Sequence, residues 1–384
     1  MTNYDVLISG SGLVGSATAV ALSRLGLRVA LIHSNILSSS ARSKTLTDEN
    51  FENRVFAIRP SIKRFLTDEQ LWNNISKERV QCVTRMHIDG EARERLTLGA
   101  HDAGIMELAS IVESNNLRRS ICARLDDSVA KLNSEIQAIE QDLGFVTVVT
   151  SAGKLTCKLL VGADGSNSLV RHQCGISVRE RDYRHTGLVA NFAVAQPHRG
   201  AAYQWMGPEG VIAYLPLPGN LASIVWSAPD HLAHRLDENV LFEELANRYD
   251  PLGIVRLVSQ IGRFPLRRVL PRTTSHRRVI LVGDAAHQFL PLAGQGLNVG
   301  LADTAKLTAL VRQHGLEDPG SLSVINRYRR ARKEEIESFT YFTEAMHYMG
   351  VGGIDFFRSI QKFGFGAVGK SEALKRFFIQ KAVG

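Results

Sequence analysis

Long apolar runs are missing from this 384-residue sequence, and no stretch approaches the roughly 18 apolar residues that a membrane-spanning helix requires. The expectation is a soluble or peripheral protein. Cysteine is scarce, with only four residues at positions 82, 122, 157 and 174. They show no paired spacing and no accompanying histidine pattern, so neither a zinc site nor a disulfide framework is indicated, and a reducing cytoplasm is the expected setting. No basic region precedes the first apolar run, so no export signal is expected. Basic runs interleaved with aromatics are absent as well, and nucleic acid is not an expected partner.

What is present describes a folded globular chain: 44% of residues are apolar and 22% charged, over a length that suits two interleaved domains sharing a large core. The net charge of +8 (46 minus 38) attracts anionic partners, such as nucleotide phosphates or an anionic membrane surface.

Tyr4 to Ser9 reads as a buried strand, Gly10-Ser11-Gly12-Leu13-Val14-Gly15 opens a helix running to Leu25, and Arg28 to His33 is the next strand. In such a βαβ unit Gly10 makes the tight turn, Gly12 admits a pyrophosphate at the helix's positive end, and Gly15 lets helix and strand pack closely. The fingerprint expects an acid at the end of the second strand, to hold ribose hydroxyls. Here that residue is His33, which offers one neutral hydrogen bond in place of a charge-assisted pair.

Two further motifs follow. Leu159 to Gly162 reads as a strand leading into Ala163-Asp164-Gly165-Ser166-Asn167-Ser168-Leu169-Val170-Arg171, and Arg278 to Val282 as another leading into Gly283-Asp284-Ala285-Ala286-His287. The latter continues through Pro291 and Gly294-Gln295-Gly296-Leu297-Asn298 into a helix beginning near Leu297. An acid at a strand's carboxyl end, glycines that let backbone approach a flat ligand, and a helix N-terminus aimed at it suit a flavin. Asp284 as a simple helix cap is the competing reading.

Gly-x-Gly-x-x-Gly, Gly-Ala-Asp-Gly-x-x-Ser-x-x-Arg and Gly-Asp-Ala-Ala-His with Gly-Gln-Gly-x-Asn, in this order, resemble the motifs of the class A flavoprotein aromatic monooxygenases. Within them the resemblance is to the ubiquinone-biosynthesis hydroxylases, over roughly residues 4–345. It implies an α/β fold similar to para-hydroxybenzoate hydroxylase, a Rossmann-like FAD-binding domain with an inserted antiparallel-sheet substrate domain. Residues 1–75, 101–175 and 270–345 would form the first and residues 76–100 and 176–269 the second, with a helical tail over 346–384.

By the same resemblance FAD would be held by Gly10, Gly12, Gly15, Arg54, Glu113, Asp164, Gly165, Asp284, Gly294, Gln295, Gly296, Leu297 and Asn298, with His33 at the adenosine ribose. The backbone carbonyl of Pro291 would lie beside the reacting oxygen. Glu113 is equally well explained as an acid favouring a helix dipole, and Arg54 as a surface charge. NADH or NADPH would dock transiently as electron donor, because no second dinucleotide fold is present. O₂ would be activated as a flavin hydroperoxide and one oxygen transferred to the ring of a polyprenylated phenol.

Ala201 to Met206, Val211 to Leu215 and Leu221 to Ser227 read as short antiparallel strands, and Trp205, Tyr214 and Trp226 either line a pocket for an aromatic substrate or fill the core. His287 is a candidate proton donor, or a structural residue. The basic tail places Leu374, Phe377 and Phe378 on one face, which suits either a peripheral position on the inner membrane face or docking on the protein itself. Two readings other than a polyprenyl-phenol hydroxylase stay open: a non-catalytic accessory member of a ubiquinone-biosynthesis complex, favoured by His33, and a hydroxylase of soluble aromatic compounds.

Overall fold

The computed structural model describes residues 2–33, 51–90, 95–125, 129–289, 295–351 and 371–383. Five strands form a parallel sheet in the spatial order Ala130–Asn133, Val29–His33, Thr2–Ser9, Gly153–Gly162, Val279–Leu281. Registers such as Val6↔Val29, Val6↔Leu159 and Leu160↔Val279 fix it. Covered on both faces, these strands are nearly continuous apolar runs; every residue of Val29–His33 is buried. An antiparallel hairpin, Ile136–Gln141 with Val146–Thr150, extends the sheet beside Gly153–Gly162.

The helices are, in chain order, α1 (Leu13–Ser23), α2 (Pro60–Asp68), α3 (Ser114–Cys122), α4 (Leu169–Gln173), α5 (Asp230–Ala233), α6 (Glu238–Arg248), α7 (Gly296–His314) and α8 (Leu322–Val351), with a further C-terminal helix Glu372–Val383. Local chemistry sets their ends. Pro60 starts α2, the Asp237 side chain accepts from Val240 N to cap α6, and Ser168 caps α4. The first helix stops at Ser23, short of Leu25, with Gly26 at φ +82° just beyond. On one face of the sheet α1, α7 and α8 bury Val20, Leu22, Leu301, Leu307 and Tyr328 against Val6, Ile8 and Ile280. A second core around Leu7, Ile32 and Leu160 lies on the other face.

The second sheet is antiparallel, apart from one parallel pairing between Ala201–Gly207 and Arg85–Gly90, and is built around the 17-residue strand Val178–Val194. Leu221–Pro229 and Gly262–Pro271 pair with that strand, and Gly210–Leu217 pairs with Leu221–Pro229; Ala201–Gly207, Gly210–Leu217 and Leu221–Pro229 fall where the pattern predicts antiparallel strands, and Gly262–Pro271 lies beyond that stretch. One face carries Phe192, Tyr214 and Trp226 into a core closed by α5 and α6. The opposite face meets Phe51, Val83 and Ile111 beside a three-stranded sheet, Val55–Ile58 with Ala109–Glu113 and Val80–Val83. Tyr214 and Trp226 are therefore core residues and not pocket lining: both are fully buried, and their polar atoms are spent on backbone acceptors, Tyr249 O for Tyr214 (2.6 Å) and Glu209 O for Trp226 (3.0 Å). Trp205 packs half-buried against the same core.

The C-terminal helix docks on the protein, with Ile379 buried against Leu96, Leu98 and Ala103. The side chains of Leu374, Phe377 and Phe378, which would form the amphipathic face, lie outside the described residues.

Candidate active site

The carboxyl ends of the parallel strands, where ligands of such sheets bind, carry all three motifs. Gly10 adopts φ +105°, and a Cβ there would lie 2.4 Å from Ala163 O; a Cβ on Gly15 would lie 2.0 Å from Gly10 O. These two glycines let strand, helix and the Asp164 loop touch. Gly12 differs, since a Cβ there would meet nothing within 4 Å. It sits at the start of α1, whose first turn has no side-chain cap, so the leading N–H groups face open space. A diphosphate fits that space, with the helix's positive end behind it.

The Asp284 turn faces the same end of the sheet. Gly283 adopts φ +58°, and its Cα and Gly300 of α7 both close on Val14 of α1, so the turn is clamped between two helices. Asp284 is left open to solvent in a concave setting: the protein around it raises its carboxyl pKa, partly offset by the charges of His287 and Arg54. Arg54, 230 positions away in sequence, is thus brought to Asp284; its guanidinium also lies 5.3 Å over the Phe56 ring. The N-cap residue of α7, Gln295, makes no side-chain cap, and among the described residues a Cβ on Gly296 would again meet nothing within 4 Å. Two bare helix N-termini thus flank one open carboxylate.

Asn298 and Leu297 position that second N-terminus. Buried Asn298 accepts from Arg59 N (3.0 Å) and donates to Ala57 O (2.8 Å) and to Gln295 Oε1 (3.0 Å), stapling α7 to the segment between Val55–Ile58 and α2. Leu297 packs against the main core. Asp164 accepts from Ser168 Oγ (2.5 Å) and Val170 N (3.1 Å), holding its loop onto α4, while Gly165 at φ +82° faces open space. Buried Arg171 ties this loop to the Asp284 turn, donating to Ser166 O (2.6 Å) and Ala285 O (3.1 Å).

His33 lies buried at the end of Val29–His33, beside the Gly10 turn, whose N–H is held by Ile32 O at 3.0 Å. The structure places Glu113 in a buried ion pair, with both oxygens bonded to Arg79 (2.6 and 2.8 Å) and one also accepting from Glu52 N (2.7 Å). Its strand pairs directly with the one following Arg54, Val55↔Glu113, so it braces that segment. Pro291 and Gly294 lie outside the described residues.

A set of residues that sequence reasoning missed holds the turn from behind. Asp303, the sole acid of α7, is fully buried and accepts from Gly283 N (2.8 Å), His287 Nε2 (2.7 Å) and Arg332 Nε (2.6 Å). Burial alone would raise its carboxyl; the His287 and Arg332 charges and these hydrogen bonds hold it below the usual carboxylate range. Arg332 also donates to Val299 O (3.2 Å), and Tyr328 to Leu281 O (2.9 Å). His287 is therefore a buried member of this network, stacked 5.0 Å from the Phe289 ring. The one signal in the sequence was an acid on an otherwise neutral, apolar helix face.

The chain is similar to known proteins over most of its length. A family model described as FAD binding domain matches residues 3–343. Ubiquinone hydroxylase UbiL of Rhodospirillum rubrum is 32% identical over 99% of this chain and 89% of its own length. The 3-demethoxyubiquinol 3-hydroxylase of Escherichia coli is 28% identical over 86% of each chain. In fold, p-nitrophenol 4-monooxygenase PnpA of Pseudomonas putida superposes with a TM-score of 0.79 at 21% identity, over 100% of this chain and 99% of that one.

Proposed function

The chain belongs to the FAD-binding-domain family of flavoprotein monooxygenases, and from that membership we propose that it hydroxylates the aromatic ring of a polyprenylated phenol in ubiquinone biosynthesis, with O₂ as oxidant and NADH or NADPH as electron donor. The cofactor part of this reading is carried by the two helix N-termini beside open Asp284, and the substrate class by the similarity to ubiquinone hydroxylases.

The residues fit FAD. The α1 N-terminus with Gly10, Gly12 and Gly15 would hold its diphosphate, His33 its adenosine ribose, and Asp284 its ribityl hydroxyls. The amides of Gly296 and Leu297 at α7 would face the ring's anionic edge, with Arg54 supplying charge beside Asp284, and Asp164 and Gly165 would close the loop opposite. Bound FAD supplies the redox chemistry and the activation of O₂. The chain's own part is to bind, orient and exclude water: the α7 positive end stabilises negative charge by about 0.3–1 kcal/mol at low ionic strength, and more where water is excluded. No side chain is assigned as acid or base, and His287 acts through Asp303 as a positioning residue.

Among the described residues no helix is long and apolar enough to cross a membrane. A substrate with a polyprenyl tail resides in one, so we place this protein at its cytoplasmic surface, attached peripherally and in a complex with other enzymes of the pathway. The test is purification followed by denaturation: released FAD near one per chain, and NAD(P)H oxidation stimulated by a prenylated phenol, are expected. Protein that takes up no FAD at saturation would instead favour the accessory role.

A further inference from the structure

A cavity of about 840 Å³ lies on the far side of the Asp284 turn, between the strands Val178–Val194 and Gly262–Pro271 and helix α8. That volume is in the range of small-molecule sites. Its walls carry six cations, Arg179, Arg268, Arg272, Arg329, Arg330 and Lys333, against two acids, Glu337 and Glu344, an excess of four positive charges. The helical contribution falls at 329, 330, 333, 336, 337, 340, 341 and 344, one continuous face of α8.

The two acids are already engaged. Glu344 pairs with Arg268 and lies 3.5 Å from Arg181, and Glu337 lies 3.9 Å from Lys333. Arg179, Arg272, Arg329 and Arg330 have no carboxylate partner among the described residues, and the buried Nε of Arg268 has no acceptor among them. Four unneutralised guanidinium groups around one concavity repel one another and focus a positive potential into it. Arginine outnumbers lysine five to one, and its planar fork matches phosphate oxygens in pairs. The walls also include Leu270, Pro271 and Ile336, while the Thr273 and Thr340 hydroxyls donate to Ser275 O and Ile336 O, so the arginines are the donors that face an occupant. The segment 352–370 carries Arg358, Lys362 and Lys370 against Asp355, so its charge does not complement the cavity.

We propose that this cavity is a second phosphate-binding site, separate from the diphosphate cradle at α1, and that it takes a ligand bearing at least two negative charges, from a phospholipid headgroup or a soluble organic diphosphate. Ala286, two residues from Asp284, forms part of its wall, so an occupant would press on the turn that carries the cofactor site.

The FAD-saturated enzyme is titrated calorimetrically with inorganic pyrophosphate at low ionic strength. One saturable site is expected, weakening steeply with salt. Affinity should fall at least tenfold in Arg329→Ser/Arg330→Ser and in Arg272→Ser, and stay unchanged in Arg327→Ser, on the same helix but outside the cavity. FAD content should match wild type in all, so a failure to bind FAD would count against the proposed function and not against this site. Sedimentation with cardiolipin vesicles, whose headgroup carries two phosphates, separates the sources: pelleting that pyrophosphate displaces and the double variant lacks identifies a headgroup, and pyrophosphate binding without such pelleting identifies a soluble ligand. No saturable pyrophosphate binding, or binding equal in every variant, overturns the proposal.

Discussion

Replacing Asp303 by Asn removes the charge on which the cofactor turn rests while preserving shape. The carboxylate accepts three hydrogen bonds, two of them at Oδ2, from Gly283 N and His287 Nε2, and one at Oδ1 from Arg332. An asparagine whose Oδ1 stays with Arg332 turns an NH₂ toward two donors. His287 can relieve one clash by moving its proton to Nδ1, which has no partner among the described residues, but the Gly283 N–H is left without an acceptor. Arg332 keeps its ion pair with Glu335, so losing the Asp303 charge costs less than the roughly 3–5 kcal/mol of breaking a buried pair outright, and a buried orphan N–H costs about 1–3; because the terms share one network, about 4 kcal/mol in total is expected. With an unfolding entropy of about 2.1 cal/mol/K per residue, 384 residues give about 0.8 kcal/mol/K, and the melting temperature should fall by about 5 °C.

The depressed Asp303 carboxyl stabilises the fold above the ordinary carboxylate range, and that contribution is lost as pH falls through its folded-state value; the gap between wild type and variant should therefore narrow below about pH 4. FAD affinity should drop at least tenfold, since Gly283 sets the backbone of Asp284. Adding Arg332→Met should restore part of the lost stability by removing a buried charge that has lost its Asp303 partner and keeps only Glu335 as a carboxylate partner. Differential scanning calorimetry and FAD titration are the assays. A variant melting within 1 °C of wild type, with unchanged FAD affinity, would refute the reasoning.

Gly12→Ala should leave the melting temperature within about 1 °C, because its Cβ meets open space, yet weaken FAD binding by an order of magnitude or more; Gly15→Ala, with a Cβ 2.0 Å from Gly10 O, should cost about 2 kcal/mol or more of stability. Equal thermal effects from the two would show that Gly12 is not the cofactor's approach. His33→Glu should tighten FAD binding roughly 3- to 30-fold by exchanging a neutral for a charge-assisted hydrogen bond, with turnover at saturating FAD unchanged; weaker binding would mean that the histidine is adapted to this site. Burial pushes the thiols of Cys174 up to about 11 and of Cys157 up to about 12, so native protein at pH 8 should react with a thiol reagent at Cys82 well before either. These raised values stabilise the fold below about pH 9, a contribution lost as pH rises through 11 to 12, which an alkaline melt measures.

The βαβ unit, the antiparallel insertion and the α7 start were legible because each is a local signal: a glycine spacing, a two-residue alternation, a helix punctuated by Gly-x-Asn. Tyr214 and Trp226 were harder, since alternation says that a strand has two faces but not which one α6 will cover. Arg332 lies in a strongly basic helical run, Tyr328 to Lys333; Tyr328 and Arg332 are buried within it, because Asp303 and Leu281 O, distant in sequence, supply their partners. The role the structure gives Glu113, an ion pair with Arg79, is not visible in sequence because the two lie 34 positions apart.

The most direct test of the central claim is isotopic: FAD-loaded enzyme supplied with NAD(P)H, a prenylated phenol and ¹⁸O₂, with the product analysed by mass spectrometry. One ¹⁸O atom on the aromatic ring, formed only when FAD and the reduced nicotinamide are both present, is the predicted result. Unlabelled product, or no product while FAD remains bound, would contradict a monooxygenase.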